Sequence, residues 1–270
     1  MSGWAAIREA CTLLEDEAVL VLNKPVGISV VGERHDTDLA TLASDAGERL
    51  LPVHRIDKVT SGAVLLAKQP RAHADLTRQF NRRSASKLYL AVTRSRGLPE
   101  RGTIELPLSV GRKNRVRVAA QRGSILSDEA SGRWSVASSE VFRHTRTYPS
   151  LTTFVRVWEG QHRTLLAVQP VTGRRHQIRV HLAWIGHPVE GDPLFGGESA
   201  SAARTALHSW QLGFDAPWSA DARVEVEAPP GDDFWACLGP RPAPGDPATL
   251  LDRARLLTGR RVGGRRPRSR

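Results

Sequence analysis

Two cysteines, one methionine and two tyrosines in 270 residues set the first limits. Cys11 and Cys237 cannot build a disulfide framework, so a reducing compartment and a cytoplasmic location are expected. No apolar run approaches the roughly 20 residues that a membrane helix needs, and no membrane association is expected. The first residues carry Glu9, Glu15, Asp16 and Glu17 without an apolar stretch, unlike a secretory signal. A glycine-rich phosphate or dinucleotide loop is missing. No metal motif is expected either. His176 and His181 stand five apart, about 140° round a helix, with no glutamate between them.

What the chain does have is positive charge. Lysine and arginine number 39 against 28 acids, a formal net charge of +11 with a pI near 10.8. Six arginines (Arg260, Arg261, Arg265, Arg266, Arg268, Arg270) crowd into residues 259–270 without an acid and account for about half of the excess. Such a balance argues for a polyanionic partner. Nucleic acid fits better than a membrane surface, because no amphipathic anchor helix is evident.

Along the chain, residues 1–16 read as a mixed lead-in, too short for a separate RNA-binding domain. Residues 18–23 read as a short buried strand that Lys24-Pro25-Val26-Gly27 ends. A helix is expected over 38–46 with Asp38 as N-cap, a buried strand over 63–67, and a helix over 71–83 with Ala72, Leu76 and Phe80 on one face. Residues 87–93 alternate. Leu88, Leu90 and Val92 point one way, and Lys87, Tyr89 and Ala91 the other, which leaves Tyr89 available to a site. Strands are expected at 104–110, 115–120, 136–142, 151–158 and 163–169. The basic segment 111–122, with Arg112, Lys113, Arg115, Arg117 and Arg122, reads as a hairpin able to grip phosphate. A helix over about 173–185 would take Thr172 as its cap, end at Gly186 and Pro188, and carry Arg175 and Arg179 on one face. Strands at 206–214 and 222–228 follow. Residues 239–270 are Pro-, Gly- and Arg-rich, with a helix possible at 247–258 and disorder expected elsewhere.

The chemistry concentrates in residues 54–62, His-Arg-Ile-Asp-Lys-Val-Thr-Ser-Gly. Asp57 stands between Arg55 and Lys58 and close to His54, in a loop ahead of a buried strand. Loops on rigid scaffolds carry function, and neighbouring cations favour an ionised carboxylate. Asp57 is therefore expected to act as a nucleophile or base; the plainer alternative is a surface aspartate in a turn.

This stretch resembles the active-site signature of the RluA-type pseudouridine synthases, with Ile56 where that family has leucine. Asn23-Lys24-Pro25-x-Gly27 is similar to the family's first motif, which helps frame the active-site loop, and Lys87-x-Tyr89 to the next. Gly173-Arg174-x-His176-Gln177-Ile178-Arg179-Val180-His181-Leu182 is similar to a further one. Gly191-Asp192-Pro193-Leu194-Phe195-Gly196 follows the family except at Phe195, where the family has tyrosine. The resemblance spans about 17–238 and is weakest before Val141. It implies an α+β fold, a mixed and mainly antiparallel sheet flanked by helices. The catalytic domain would occupy 17–238, between the 1–16 lead-in and a 239–270 basic tail.

The resemblance also implies site roles. Asp57 would be the catalytic aspartate, Arg179 its partner, and Tyr89 a contact of the target uracil. Arg55 would fill the space left by an everted base, a phosphate clamp being its alternative. Lys24 and Arg175 are expected to bind RNA. Uridine-to-pseudouridine conversion exchanges a C1′–N1 bond for a C1′–C5 bond with no net change of atoms or redox state, so no cofactor is expected. Glycosidases use two carboxylates. A departing uracil anion is delocalised, and one carboxylate can suffice. The expected partner is structured RNA, ribosomal or transfer, and the expected state a monomer. A non-catalytic basic RNA-binding protein is the competing reading, opposed by intact Asp57, Tyr89 and Arg179. A hydrolytic glycosidase would need a second carboxylate or a metal motif.

Overall fold

The computed structural model describes residues 3–32, 37–94, 96–111, 114–128, 130–197, 204–220, 222–239 and 246–259. Helix α1 (Gly3–Cys11) leads into β1 (Thr12–Glu15), which turns back as β2 (Val19–Lys24). Then come α2 (Leu39–Asp45), β3 (Leu51–Pro52), β4 (Ser61–Ala67), α3 (Pro70–Arg82) and β5 (Ser86–Thr93). The middle of the chain supplies β6 (Arg101–Glu105), β7 (Leu108–Val110), β8 (Val116–Val118), β9 (Ile125–Asp128) and β10 (Arg133–Val136). It continues with β11 (Thr147–Tyr148), β12 (Leu151–Glu159) and β13 (Thr164–Pro170). The last third holds α4 (Gln177–Trp184), β14 (Leu207–Asp215), β15 (Arg223–Glu227), α5 (Asp232–Trp235) and α6 (Pro247–Thr258).

Twelve strands form one sheet in the order β1-β2-β4-β14-β5-β13-β12-β6-β10-β9, with β3 beside β4 and β15 beside β14. A second sheet runs β11-β7-β8. Among the described residues only the β14–β4 and β10–β6 pairs are parallel. The fold is the α+β type expected. Strands β2 and β4 read as unbroken apolar runs because both of their faces are covered. Leu20, Leu22, Val64 and Leu66 enter one core, while Val19, Val21, Ala63 and Leu65 enter another under Ala72 and Leu76 of α3. Gly62 makes the β4–β14 contact possible. A Cβ there would sit 2.2 Å from the carbonyl oxygen of Ser209, and its φ of +108° disfavours any side chain. Beside it, Ser61 Oγ donates to His208 Nδ1 at 2.7 Å, and His208 Nε2 donates to the Ala228 carbonyl at 2.9 Å.

Several boundaries differ from those expected. The lead-in is part of the domain: β1 extends the main sheet and Trp4 of α1 is buried. The 104–110 segment divides at Leu106-Pro107, because proline supplies no ladder N–H; the Pro107 carbonyl accepts instead from Ala119 N at 2.7 Å. The strand expected at 136–142 ends at Val136 and becomes a 3-10 turn at Ser138–Glu140. Beyond Leu238 the chain returns as α6, with Leu250 and Ala254 buried and Arg255 bound to Glu227 at 3.0 and 2.7 Å. The boundary at 239 therefore cuts off a packed helix. Residues 240–245 and 260–270, like Arg112 and Lys113, lie outside the described residues.

Candidate active site

The Asp57 loop is pinned from several sides before any partner reaches its carboxylate. His54 Nε2 accepts the Leu65 amide at 3.0 Å, and its ring stacks on Phe80 with centroids 4.5 Å apart. Burial, with the charge of Lys87, pushes His54 down to about 3, so the ring is neutral. Ile56 is buried, the Thr60 amide donates to the Asp57 carbonyl at 2.9 Å, and the Gly27 amide donates to the Lys58 carbonyl at 2.8 Å.

That last bond gives Lys24 a different role from the RNA contact expected of it. Lys24 is wholly buried, and its Nζ donates to the carbonyls of Pro25 and Ile28, both at 2.7 Å. It fixes the 25–28 turn whose Gly27 amide holds the Asp57 loop. A group sealed in this way cannot meet a phosphate at the surface.

Arg179 arrives from the first turn of α4. The helix starts four residues later than expected. Gly173 and His176 both take positive φ, +67° and +55°, and break the helical path. Thr172 serves another purpose, donating through Oγ1 to Gln177 Oε1 at 2.6 Å. Gln177 Nε2 in turn donates to the Leu151 carbonyl and to Thr152 Oγ1. His181 bonds Thr152 Oγ1 and the Leu106 carbonyl, both at 2.9 Å, and burial pushes it down to about 4. These polar anchors lock a helix whose first seven residues are all buried. Arg175, expected on the Arg179 face, precedes the helix. It is exposed and donates to the backbone carbonyl and side chain of Asn114.

Arg179 is 2% exposed and uses three nitrogens on two carboxylates. Nη1 donates to Asp57 Oδ2 at 2.8 Å, while Nε and Nη2 donate to Asp192 Oδ2 and Oδ1 at 2.7 and 2.8 Å. Burial opposes its charge, but Asp192 and Asp57 more than compensate, and its proton is held more firmly than in water. Asp192 is buried as well. Desolvation works against its charge, yet Arg179 and the amides of Leu194 and Phe195 hold it below the ordinary carboxylate range. In the sequence Asp192 is only one residue of the Gly191–Gly196 motif, and the clamp is made by the fold. The available signal was an acid in a Gly-Asp-Pro turn, able to cap the amides that follow it.

Asp57 Oδ1 accepts no hydrogen bond among the described residues; His176 Nε2 stands 3.7 Å away. The Asp57 side chain borders a cavity of about 450 Å³ lined also by Arg55, Lys87, Tyr89, Arg174, Arg175, His176 and Arg179, among others. The volume suits a small organic group. Asp57 is the one carboxylate among the described lining residues. Arg55 is exposed. Tyr89 borders the cavity, though its strand is covered on both faces rather than open on one. Burial pushes the Tyr89 phenol up to about 12, so it keeps its proton.

Comparison with known proteins gives the family. Residues 18–184 match the family model described as RNA pseudouridylate synthase. The chain is 34% identical over 215 residues to the dual-specificity RNA pseudouridine synthase RluA of Vibrio vulnificus, covering 77% of this chain and 78% of that one. It is 32% identical over 244 residues to the ribosomal large subunit pseudouridine synthase D of Nitrosomonas europaea, covering 84% of this chain and 63% of that one. It thus spans less than two thirds of that second relative. Among solved structures, human RNA pseudouridylate synthase domain containing 1 superposes with a TM-score of 0.67 at 25% identity, over 91% of this chain and 94% of that one. This chain belongs to the RNA pseudouridylate synthase family of isomerases, on its RluA-type branch.

Proposed function

We propose that this chain isomerises uridine to pseudouridine in ribosomal or transfer RNA, with Asp57 as the catalytic carboxylate. The observation that carries the reading is the two-sided state of Asp57. Oδ2 is held by Arg179 at 2.8 Å, while Oδ1 accepts no hydrogen bond among the described residues, has His176 Nε2 at 3.7 Å, and sits on a residue that borders the cavity. A carboxylate so oriented can attack C1′ or take a proton from C2′. With no second carboxylate among the described lining residues, the pair that a hydrolytic glycosidase would use is missing.

The target uridine leaves its stack at a cost of a few kcal/mol. Arg55, exposed at the cavity wall, takes the vacated space in the RNA. Tyr89 presents its ring and a protonated hydroxyl to the base. Asp57 attacks C1′ or takes the C2′ proton as the C1′–N1 bond breaks, and the uracil anion turns within the cavity. C5 then bonds to C1′ as the carboxylate leaves or the C2′ proton returns, and the proton lost from C5 is balanced by one gained at N1. The basic lining residues hold phosphates with salt-dependent affinity.

The test is nucleoside analysis of bulk RNA after incubation with purified protein. Wild-type protein is expected to make pseudouridine, and Asp57→Asn, which keeps the size of the side chain and removes its charge, none. A productive Asp57→Asn enzyme would refute the mechanism.

A further inference from the structure

A second groove adjoins the cavity. It encloses about 850 Å³ between the β7–β8 hairpin and the turn that follows Asp192, and Arg175 and His176 line both spaces. Three arginines border it: Arg115 and Arg117 from the hairpin side, and Arg175, tied to Asn114 at the hairpin tip. Among the described residues none of the three forms an ion pair. Arg117 is set in place by stacking over Phe142 at 5.3 Å, and its buried Nε has no hydrogen-bond partner among the described residues. Leu194, 46% exposed, and the partly buried Phe195 form the apolar part of the wall.

Unpaired guanidiniums beside apolar side chains suit one polymer in particular. A single-stranded nucleic acid presents phosphates and bare base faces together, and aromatic or apolar platforms with flanking cations are how such strands are held. A duplex would keep its bases stacked and leave Leu194 and Phe195 facing water. We propose that this groove seats the single-stranded nucleotides running out from the everted uridine. Their phosphates lie on Arg115, Arg117 and Arg175, and a base covers Leu194 and Phe195. The inference rests on the proposed reaction for the identity of the strand.

The test is binding by fluorescence anisotropy across a salt series. The probes are a labelled oligouridylate about a dozen nucleotides long and an RNA duplex of similar length. Single strands release counterions with a log–log slope of about 0.7 per neutralised phosphate. The Arg115→Gln/Arg117→Gln pair is therefore expected to lower the oligouridylate slope by about 1.4 and the affinity by about tenfold or more at 0.1 M salt. Arg115→Lys/Arg117→Lys keeps both charges and should restore the slope, which separates charge from misfolding. Leu194→Asp should weaken the oligouridylate and leave the duplex unchanged. A wild-type slope in the double glutamine variant, or equal losses on both probes, would overturn the groove. A wild-type protein that makes no pseudouridine would overturn the reaction instead, while the slope still decides the groove.

Discussion

Arg179 grips Asp192 with two nitrogens and reaches Asp57 with the third, so one buried guanidinium sets the orientation of the loop carboxylate from a distant helix. The arrangement needs a planar fork. A lysine ammonium in the same place is a point charge that cannot span both acids. Arg179→Lys is accordingly expected to lose turnover nearly as fully as Arg179→Ala. Asp192→Asn, which leaves Arg179 free to swing, should lower single-turnover pseudouridine formation roughly 100-fold, as misplacement of about 1 Å can. RNA affinity should stay within about threefold in all three variants. Equal losses of affinity and turnover would make Arg179 a binding residue.

Lys24 gives the opposite pattern. Hydrogen bonds from a charged donor contribute about 1.5–3 kcal/mol each, and this ammonium makes two to backbone carbonyls in a dry site. Lys24→Ala is expected to lower the urea midpoint by a corresponding amount and to leave the salt slope of RNA binding unchanged. A reduced slope with normal stability would return Lys24 to the RNA surface.

These two residues mark where the sequence is readable. Asp57 stands in a short run whose residue types state its chemistry, an acid among cations, while the roles expected of Tyr89 and Arg179 are legible only through the resemblance of their motifs to the family's. Strands β2 and β4 are legible as short unbroken apolar runs, β5 by its alternation, and β12 and β13 by the turn residues that bound them. Lys24 misleads because lysine is ordinarily exposed, and only the folded turn brings the Pro25 and Ile28 carbonyls under its nitrogen. The clamp that joins Asp192 and Arg179 to Asp57 is decided by a partner 122 residues away from Arg179, which no local window contains. The start of α4 escapes because Thr172, a good cap by composition, is engaged by Gln177 instead.

Histidines held neutral by the fold give the stability a defined pH dependence. His54 is pushed down to about 3, and His181 and His208 to about 4, each chiefly by burial. An unfolded chain protonates them near pH 6.5. Below that pH the unfolded state binds more protons than the folded one, so stability falls as pH drops. The loss proceeds from about 6.5 until the folded values are reached, at up to about 1.4 kcal/mol per pH unit for each ring. Urea midpoints measured between pH 7.5 and roughly 4.5 should show this decline, and His54→Gln should flatten it in part. A midpoint independent of pH would mean that these rings are protonated in the folded protein.

Two truncations separate what the C-terminal segment does for the fold from what its arginines do for binding. Helix α6 buries Leu250 and Ala254, ties Arg255 to Glu227, and receives a bond from Arg101 to the Leu257 carbonyl. Thr258 borders Leu88, Thr153 and Gln169, on the sheet face opposite Tyr89, because successive side chains of β5 point to opposite faces. A chain ending at Gly259 keeps all of this and loses the six arginines. It is expected to hold its urea midpoint while binding RNA with a shallower salt slope. A chain ending at Gly239 removes the helix as well, and burial of Leu250 alone is worth about 1.5–3 kcal/mol. It should unfold at markedly lower urea even in the absence of RNA. If both chains match the full-length protein in stability, α6 is not part of the folded unit. If the shorter truncation leaves the slope unchanged, the six arginines do not touch the RNA.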